Sequence, residues 1–580
     1  MLDLAEDPAP RTSSPSHLCA IRPPSPAAEL PLLCLREPPR ERESRSVAAV
    51  RTLGSIDWVS GVRQRSREPA VVSTGEVVIG ARGDFMPESE LRRGFRCAPR
   101  ADYFAAVAGR DHVVIFPFMA KGHMLPLLHF ATALSAQHGR LRVTLVTTPG
   151  NVAFARSRLP ASVGLVALPF PSFPPLPEGV ESTDALPCPS LHLTFMQATG
   201  LLRGPFAEFL ASLPSPPLAL VSDFFLGFTR RVAADAGVRR IVFNGMSCFA
   251  SAICKALAAS PPTSFEPGTM IQVPGMPEHV AVRAEEVPDG VTKRADPDNP
   301  FTRFFMDEIG DSDVRSWGVL SNSLDALDAA YVSALESFYE TGARAWLVGP
   351  LFMAAGDMPD GEKKEQDPEG CLSWLDERAA HPGSVVYISF GTQAHITDVQ
   401  LDELVHGLVQ SGHPFLWAVR SDTWSPPVDV GPNNRIVRGW VPQRSILAHK
   451  AVGGFVSHCG WNSVMESLAA GKPMLAWPMI AEQHLNARHV ANILGAGVRI
   501  ALKVGADVVG SAEVEEKVRE LMDAESKAAK RMRERAVWAQ QAAKSAVSHG
   551  GTSAMALLKL VEELQETYDD GVVGKCANSV

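Results

Sequence analysis

The sequence lacks any cysteine framework. Its nine cysteines (Cys19, Cys34, Cys97, Cys188, Cys248, Cys254, Cys371, Cys459 and Cys576) are scattered, odd in number and form no CxxC pair. That usage fits reduced thiols in the cytosol better than a disulfide scaffold or a zinc site. No uninterrupted apolar stretch reaches about 18 residues, so no membrane span is expected. Basic runs are missing too. With a formal net charge of −9 at pH 7, nucleic acid is not an expected partner. A GxGxxG placed directly after a strand, with an acid about 20 residues on, is absent, which argues against an NAD(P)-dependent enzyme. No short-period repeat is present.

What is there is long and ordinary in composition. At 580 residues, 46% hydrophobic and 21% charged, the chain reads as a globular protein of at least two domains. Residues 1–110 differ from the rest. They are rich in Pro, Ser and Arg (RTSSPS, RPPSP, REPPRERESR), and the first lysine of the chain is Lys121. Such a segment buries too little apolar surface to offset its chain entropy and is expected to be disordered. Its Arg and Ser suit a targeting segment, whereas Asp3, Glu6 and Asp7 do not; an upstream extension without function remains the alternative.

Ordered sequence is expected from Asp111. HVVIFPF has strand composition, MLPLLHFATALSAQHG has helical spacing and ends at glycine, and LRVTLVTTPG is a second strand. Strand, helix, strand at this spacing is a βαβ unit and implies a parallel sheet. PPLALVSDFFLGFTRRVAADAGVRRIVFNG repeats the pattern. A second series begins at SVVYISFG, continues through the capping signal Thr397 to Gln400 and the helix LDELVHGLVQSG, and reaches the strand HPFLWAVR. SAEVEEKVRELMDAESKAAKRMRERAVWAQQAAKSAV reads as one long charged helix. Two α/β halves around a polar stretch predict two doubly wound domains facing a cleft, with ligands at the carboxyl ends of strands. The expected divisions are an extension at 1–110, a first domain at 111–345, a linker at 346–370, a second domain at 371–550, a closing helix at 551–566 that packs back on the first domain, and a tail at 567–580.

The richest stretch runs from Trp440 to Gln483: WVPQRSILAHKAVGGFVSHCGWNSVMESLAAGKPMLAWPMIAEQ. Within it GGFVSHCGWNSVMESLAAG reads as strand, glycine turn, helix and glycine stop. Gly460 permits close backbone approach, and a helix N-terminus near Asn462 offers unpaired N–H groups to a diphosphate. Read alone, Ser463 and Glu466 equally form a capping box that needs no ligand.

The whole run resembles the secondary product glycosyltransferase box of plant family 1 UDP-glycosyltransferases, and the likeness extends over about residues 111–565. The resemblance implies a GT-B type α/β fold of two Rossmann-like domains. It implies that Trp440 stacks on uracil, with Val441 beside it, and that Gln443 bonds near the base and ribose. His458, Gly460, Asn462 and Ser463 would hold the phosphates, with Gly391 and Thr392 opposite, and the helix start and His458 would neutralise them. Glu466 would bind the ribose, and Trp461, Glu482 and Gln483 the sugar. Gln483 at the end of the box resembles the glucose users.

The same resemblance makes His123, in FPFMAKGHMLP, the general base, and Asp223, in LVSDFF, its orienting partner. A histidine near neutrality suits that task. His112, His129 and His138 read as structural. No DxD metal pattern stands near the box, so no metal and no cofactor beyond the UDP-sugar substrate are expected. A threonine that some members carry after a later strand is replaced here by Asn244 and Gly245. Acceptor contacts are expected from Phe195, Met196, Met246 and Phe249, suited to a flavonoid, another phenolic, a terpenoid or a hormone. The expectation is thus an inverting, cytoplasmic, monomeric UDP-glucose-dependent transferase giving a β-glucoside. The alternative is a non-catalytic UDP-sugar-binding protein.

Overall fold

The computed structural model describes residues 111–292, 298–340, 342–355, 367–500 and 508–577. The extension expected at 1–110 lies outside the described residues, as does part of the linker, 356–366. Two parallel sheets carry the architecture. The first holds β1 (His112–Phe116), β2 (Arg142–Thr147), β3 (Gly164–Ala167), β4 (Ala219–Asp223), β5 (Arg239–Asn244), β8 (Gly318–Ser321) and β9 (Arg344–Leu347), in the order β3-β2-β1-β4-β5-β8-β9. Between β5 and β8 an antiparallel hairpin pairs β6 (Met270–Gln272) with β7 (Ala281–Arg283). The second sheet holds β10 (Val385–Ser389), β11 (Phe415–Val419), β12 (Arg435–Arg438), β13 (Val452–Ser457), β14 (Met474–Ala476) and β15 (Gly497–Arg499), in the order β12-β11-β10-β13-β14-β15.

Central strands such as β1 and β10 are apolar on both faces because helices cover both sides of a parallel sheet. Val113 and Ile115 face one core with Leu127 and Leu134 of the helix Lys121–Gln137, while Val114 and Phe116 face another with Phe206 and Leu220. In the second sheet Val385 and Tyr387 pack against Val464 and Leu468 of the helix Trp461–Ala469, and Val386 and Ile388 against Leu404 and Leu408.

Three local expectations change. The linker cannot begin at 346, because Trp346 and Leu347 close β9 and are buried in the first domain. The long charged helix is two, Ser511–Met522 and Lys527–Val547. Asp523 Oδ1 accepts the backbone N–H groups of Glu525 and Ser526, and Ser526 caps the second helix, so the polar DAES stretch turns the chain. The closing helix, Thr552–Ala577, sets Leu557, Leu560, Val561 and Leu564 into the core of the first domain. It also runs past Glu566, where a tail was expected, because propagating a helix adds a hydrogen bond per residue even where polar residues carry it.

Candidate active site

Strand order reverses between β1 and β4 in one sheet and between β10 and β13 in the other. Chains leaving neighbouring strands there turn away from each other and open a crevice at the carboxyl ends. Four candidate groups stand at those ends: His123 after β1, Asp223 closing β4, Gly391 and Thr392 after β10, and His458 to Ser463 after β13. Except for Asp223 and the buried Cys459, these residues line one cleft of about 2230 Å³. A single small-ligand site is typically about 300–1,000 Å³, so the cleft has room for two substrates.

Asp223 sits directly behind His123. Its Oδ2 lies 2.8 Å from His123 Nδ1, and its Oδ1 accepts the Phe225 N–H at 3.0 Å. A carboxylate on Nδ1 places the ring proton there and leaves Nε2 as the acceptor. Burial pushes the His123 pKa down, but the charge and hydrogen bond of Asp223, with the charge of Glu482, push it further up, and the net displacement is upward. Phe118 and Phe225 flank the imidazole at ring distances of 5.7 and 5.3 Å.

One supporting residue escaped the sequence reading. Arg240, 3% exposed on β5, donates from Nη2 to the Asp223 carbonyl (3.1 Å), from Nε to Ser222 Oγ (2.9 Å) and from Nη1 to Ser316 Oγ (2.8 Å). A guanidinium this buried needs such a full set of acceptors. Its sequence signal was an arginine inside the otherwise apolar strand RRIVFN.

The donor box assembles around Gln443. Its Nε2 donates to Ser463 Oγ (3.1 Å) and Glu466 Oε2 (2.7 Å), and its Oε1 accepts from Tyr387 OH (3.2 Å), a residue the sequence reading did not name. The Ser463–Glu466 capping box does not form. The helix begins at Trp461 with Gly460 as its cap, which puts Ser463 inside the first turn. His458 is wedged between two glycines: a Cβ on Gly391 or on Gly460 would stand 2.5 Å from its Nε2. Burial lowers its pKa to about 4. Burial thus favours the neutral imidazole, which offers a hydrogen bond beside the electropositive N-terminus of the helix. Cys459 (φ 64°) and Ala481 (φ 52°) are the non-glycine residues with left-handed backbone among the described residues, and both sit in the loops of this box.

The remaining box residues divide. Trp440 is 45% exposed in the cleft, with Val441 beside it. Trp461 is 2% exposed, donating from Nε1 to the Asn322 carbonyl (2.9 Å) and stacking on His489, so little of its indole is free for a sugar. Glu482 accepts from Asn486 Nδ2 (3.2 Å), and burial raises its pKa. Gln483 holds its own loop, with Oε1 accepting the N–H groups of Met479 and Ile480 at 3.0 Å each.

The acceptor candidates fare worse. Phe195, Met196 and Phe249 are buried core residues that do not line the cleft; only Met246 of the four does. The cleft wall near His123 comes instead from Phe118, Phe224, Phe225, Phe305 and His192. Asn244 and Gly245 also line it, where a threonine was missed. Among the described residues no helix is long and apolar enough to cross a membrane.

Comparison with known proteins agrees with this geometry. A family model described as UDP-glucoronosyl and UDP-glucosyl transferase matches residues 272–544. UDP-glycosyltransferase 73B4 of Arabidopsis thaliana is 35% identical over 78% of this chain and 98% of its own. Flavonol 3-O-glucosyltransferase UGT89B1 of Arabidopsis thaliana is 37% identical over 67% of this chain and 84% of its own. Among solved structures, Glycyrrhiza uralensis UGT73P12 complexed with glycyrrhetinic acid 3-O-monoglucuronide superposes with a TM-score of 0.70 at 29% identity, covering 81% of this chain and 98% of that one. Phytolacca americana UGT2 complexed with UDP-2fluoro-glucose and pterostilbene gives 0.64 at 26%, covering 78% and 99%. With its GT-B fold and near-complete coverage of these relatives, the chain belongs to the plant UDP-glycosyltransferase family and is a glycosyltransferase.

Proposed function

We propose that the protein transfers glucose from UDP-glucose to a hydroxyl of a flavonoid or similar phenolic, with inversion, in the cytosol. The observation that carries this reading is the His123–Asp223 pair, joined at 2.8 Å and set in the same cleft as the donor box. His123 Nε2 takes the proton of the acceptor hydroxyl. The oxygen attacks the anomeric carbon, and the bond from that carbon to the β-phosphate oxygen breaks, UDP leaving with the electron pair. Asp223 stabilises the imidazolium without taking the proton, by the logic of the serine protease triad. One displacement on an α-linked donor gives a β-glucoside. The N-terminus of the helix Trp461–Ala469 faces the charge that grows on UDP, a role preorganised donors fill well and that calls for no metal.

Glucose is favoured by Gln483 and Glu482 at the end of the box, and a flat aromatic acceptor by the phenylalanine wall around His123. Support for a phenolic also comes from relatives named flavonol 3-O-glucosyltransferase and, in Gentiana triflora, anthocyanin 3'-O-beta-glucosyltransferase. The test is a mass-detected screen of UDP-glucose and UDP-galactose against phenolics, flavonoids, terpenoids and hormones, beside His123→Ala. A gain of one hexose that disappears in His123→Ala, with UDP binding kept, is the expected result. Transfer that survives the substitution would remove His123 from the chemistry.

A further inference from the structure

We propose that Pro126 releases the Gly122 carbonyl to Asn462, and that the Asn462 amide then ties the turn carrying His123 to the leaving diphosphate. The inference rests on the reading of His123 as the base and of the box as the donor site. Its starting point is one missing hydrogen atom. In the helix Lys121–Gln137 each carbonyl is normally taken by the N–H four residues on, as the Ala120 carbonyl is by Met124 (2.8 Å). The Gly122 carbonyl has no such partner, because position 126 is proline and proline has no N–H. That carbonyl instead accepts from Asn462 Nδ2 at 2.6 Å, across the cleft from the second domain.

Asn462 is suited to a double task. A primary amide carries two N–H donors on one nitrogen. One is used on Gly122; the other serves an oxygen of the diphosphate, for which Asn462 stands in the first turn of the donor helix. A single nitrogen thus sets the spacing between the leaving group and the turn immediately before the base. The neighbouring residue is held from the same side. Lys121 Nζ pairs with Asp184 Oδ2 at 2.6 Å and lies 5.5 Å over the Trp440 ring. Both residues that precede His123 therefore touch the donor box, Lys121 over Trp440 at its base end and Gly122 on Asn462 at its phosphate end, while Asp184 of the first domain holds the Lys121 ammonium in place. Pro126 is a positioning residue in this arrangement: it touches no substrate and acts through Gly122 and Asn462.

Pro126→Ala restores the helical N–H, which competes for the Gly122 carbonyl; the helix gains a hydrogen bond while the buried site loses ring atoms, so the melting temperature of each variant is read beside its rate. The test is a double-mutant cycle of Pro126→Ala and Asn462→Ala, read as kcat, as UDP affinity and as melting temperature. The expected result is a kcat lowered by about tenfold or more in Pro126→Ala, with UDP affinity unchanged, since small misplacements of a reacting pair cost rates of that order. In the Asn462→Ala background the same substitution should change nothing further. An unchanged kcat, losses that simply multiply, or lost UDP affinity in Pro126→Ala would each overturn the proposal. His123→Ala in the same series separates two failures. Transfer retained there sinks the functional reading as well; transfer lost there with an indifferent Pro126→Ala sinks only the coupling.

Discussion

His123 stands between two opposed effects, and their balance is measurable. Burial favours the neutral ring, while the Asp223 carboxylate at 2.8 Å and the more distant Glu482 favour the charged one; the charged form gains, so the pKa lies above the ordinary 6.5. A base must be neutral to accept a proton, so kcat/KM should fall as pH drops through that raised value. The acid limb is therefore expected above pH 6.5 and should move down in Asp223→Asn, which removes the charge. A limb below 6.5, or one that Asp223→Asn leaves in place, would detach the rate from this pair. The sequence named both residues through the family resemblance of FPFMAKGH and LVSDFF, not through any local pattern of its own. It could not bring them together, being 100 positions apart in the chain. Arg240 and Tyr387 went unread for a related reason. Their partners, Ser222, Ser316 and Gln443, lie on other strands and loops, and no local pattern announces them.

At the scale of elements, strong local patterns survived folding and weak ones did not. The βαβ units around β1, β4 and β10 were plain because each joins a short apolar run to a glycine-containing loop and a stretch of helical spacing. β8, β9, β14 and β15 span only three or four residues each and become strands because neighbouring strands are already there to pair with. Three of the four acceptor candidates fell away from the cleft lining in the same way. Phe195 and Met196 sit on one helix and Phe249 on another, and apolar side chains on helices are ordinarily core, as these are. The cleft wall near His123 is drawn from separate loops and helix starts, so no periodicity marks it. The closing helix was legible from its stripe, Leu557, Leu560, Val561 and Leu564, which runs at helical spacing into the first domain's core. Leu560→Ala there should cost about 2–5 kcal/mol of stability. The check is the denaturant midpoint with an unchanged slope. A loss well under 1 kcal/mol would mean the helix is not seated on that core.

The whole molecule depends on polar groups that must stay neutral or paired between its halves. Glu286, 1% exposed, accepts from Arg488 at 3.0 Å and from Arg499, bonding the segment after β7 to the second domain. Three histidines carry the opposite requirement. Burial, with the nearby charge of Arg142, lowers His112 to about 4; burial, with Arg444 and Arg158, lowers His129 to about 3; burial lowers His458 to about 4. Below pH 6.5 the unfolded chain binds protons at these positions and the folded one does not, so folding stability should fall as pH drops from about 6.5 towards 4. His123 and Glu482, whose pKa values are raised, act in the other sense, so one site has to be isolated. His112 is the cleanest choice. Its Nδ1 accepts from Arg142 Nη2 at 2.9 Å and its Nε2 donates to Thr144 Oγ1 at 2.8 Å, far from the cleft. Glutamine supplies one acceptor and one donor but no titration. Melting temperatures at pH 7, 6 and 5 should therefore fall less steeply in His112→Gln than in the wild type. Parallel lines would mean that His112 is protonated in the folded protein and contributes nothing to its sensitivity to acid.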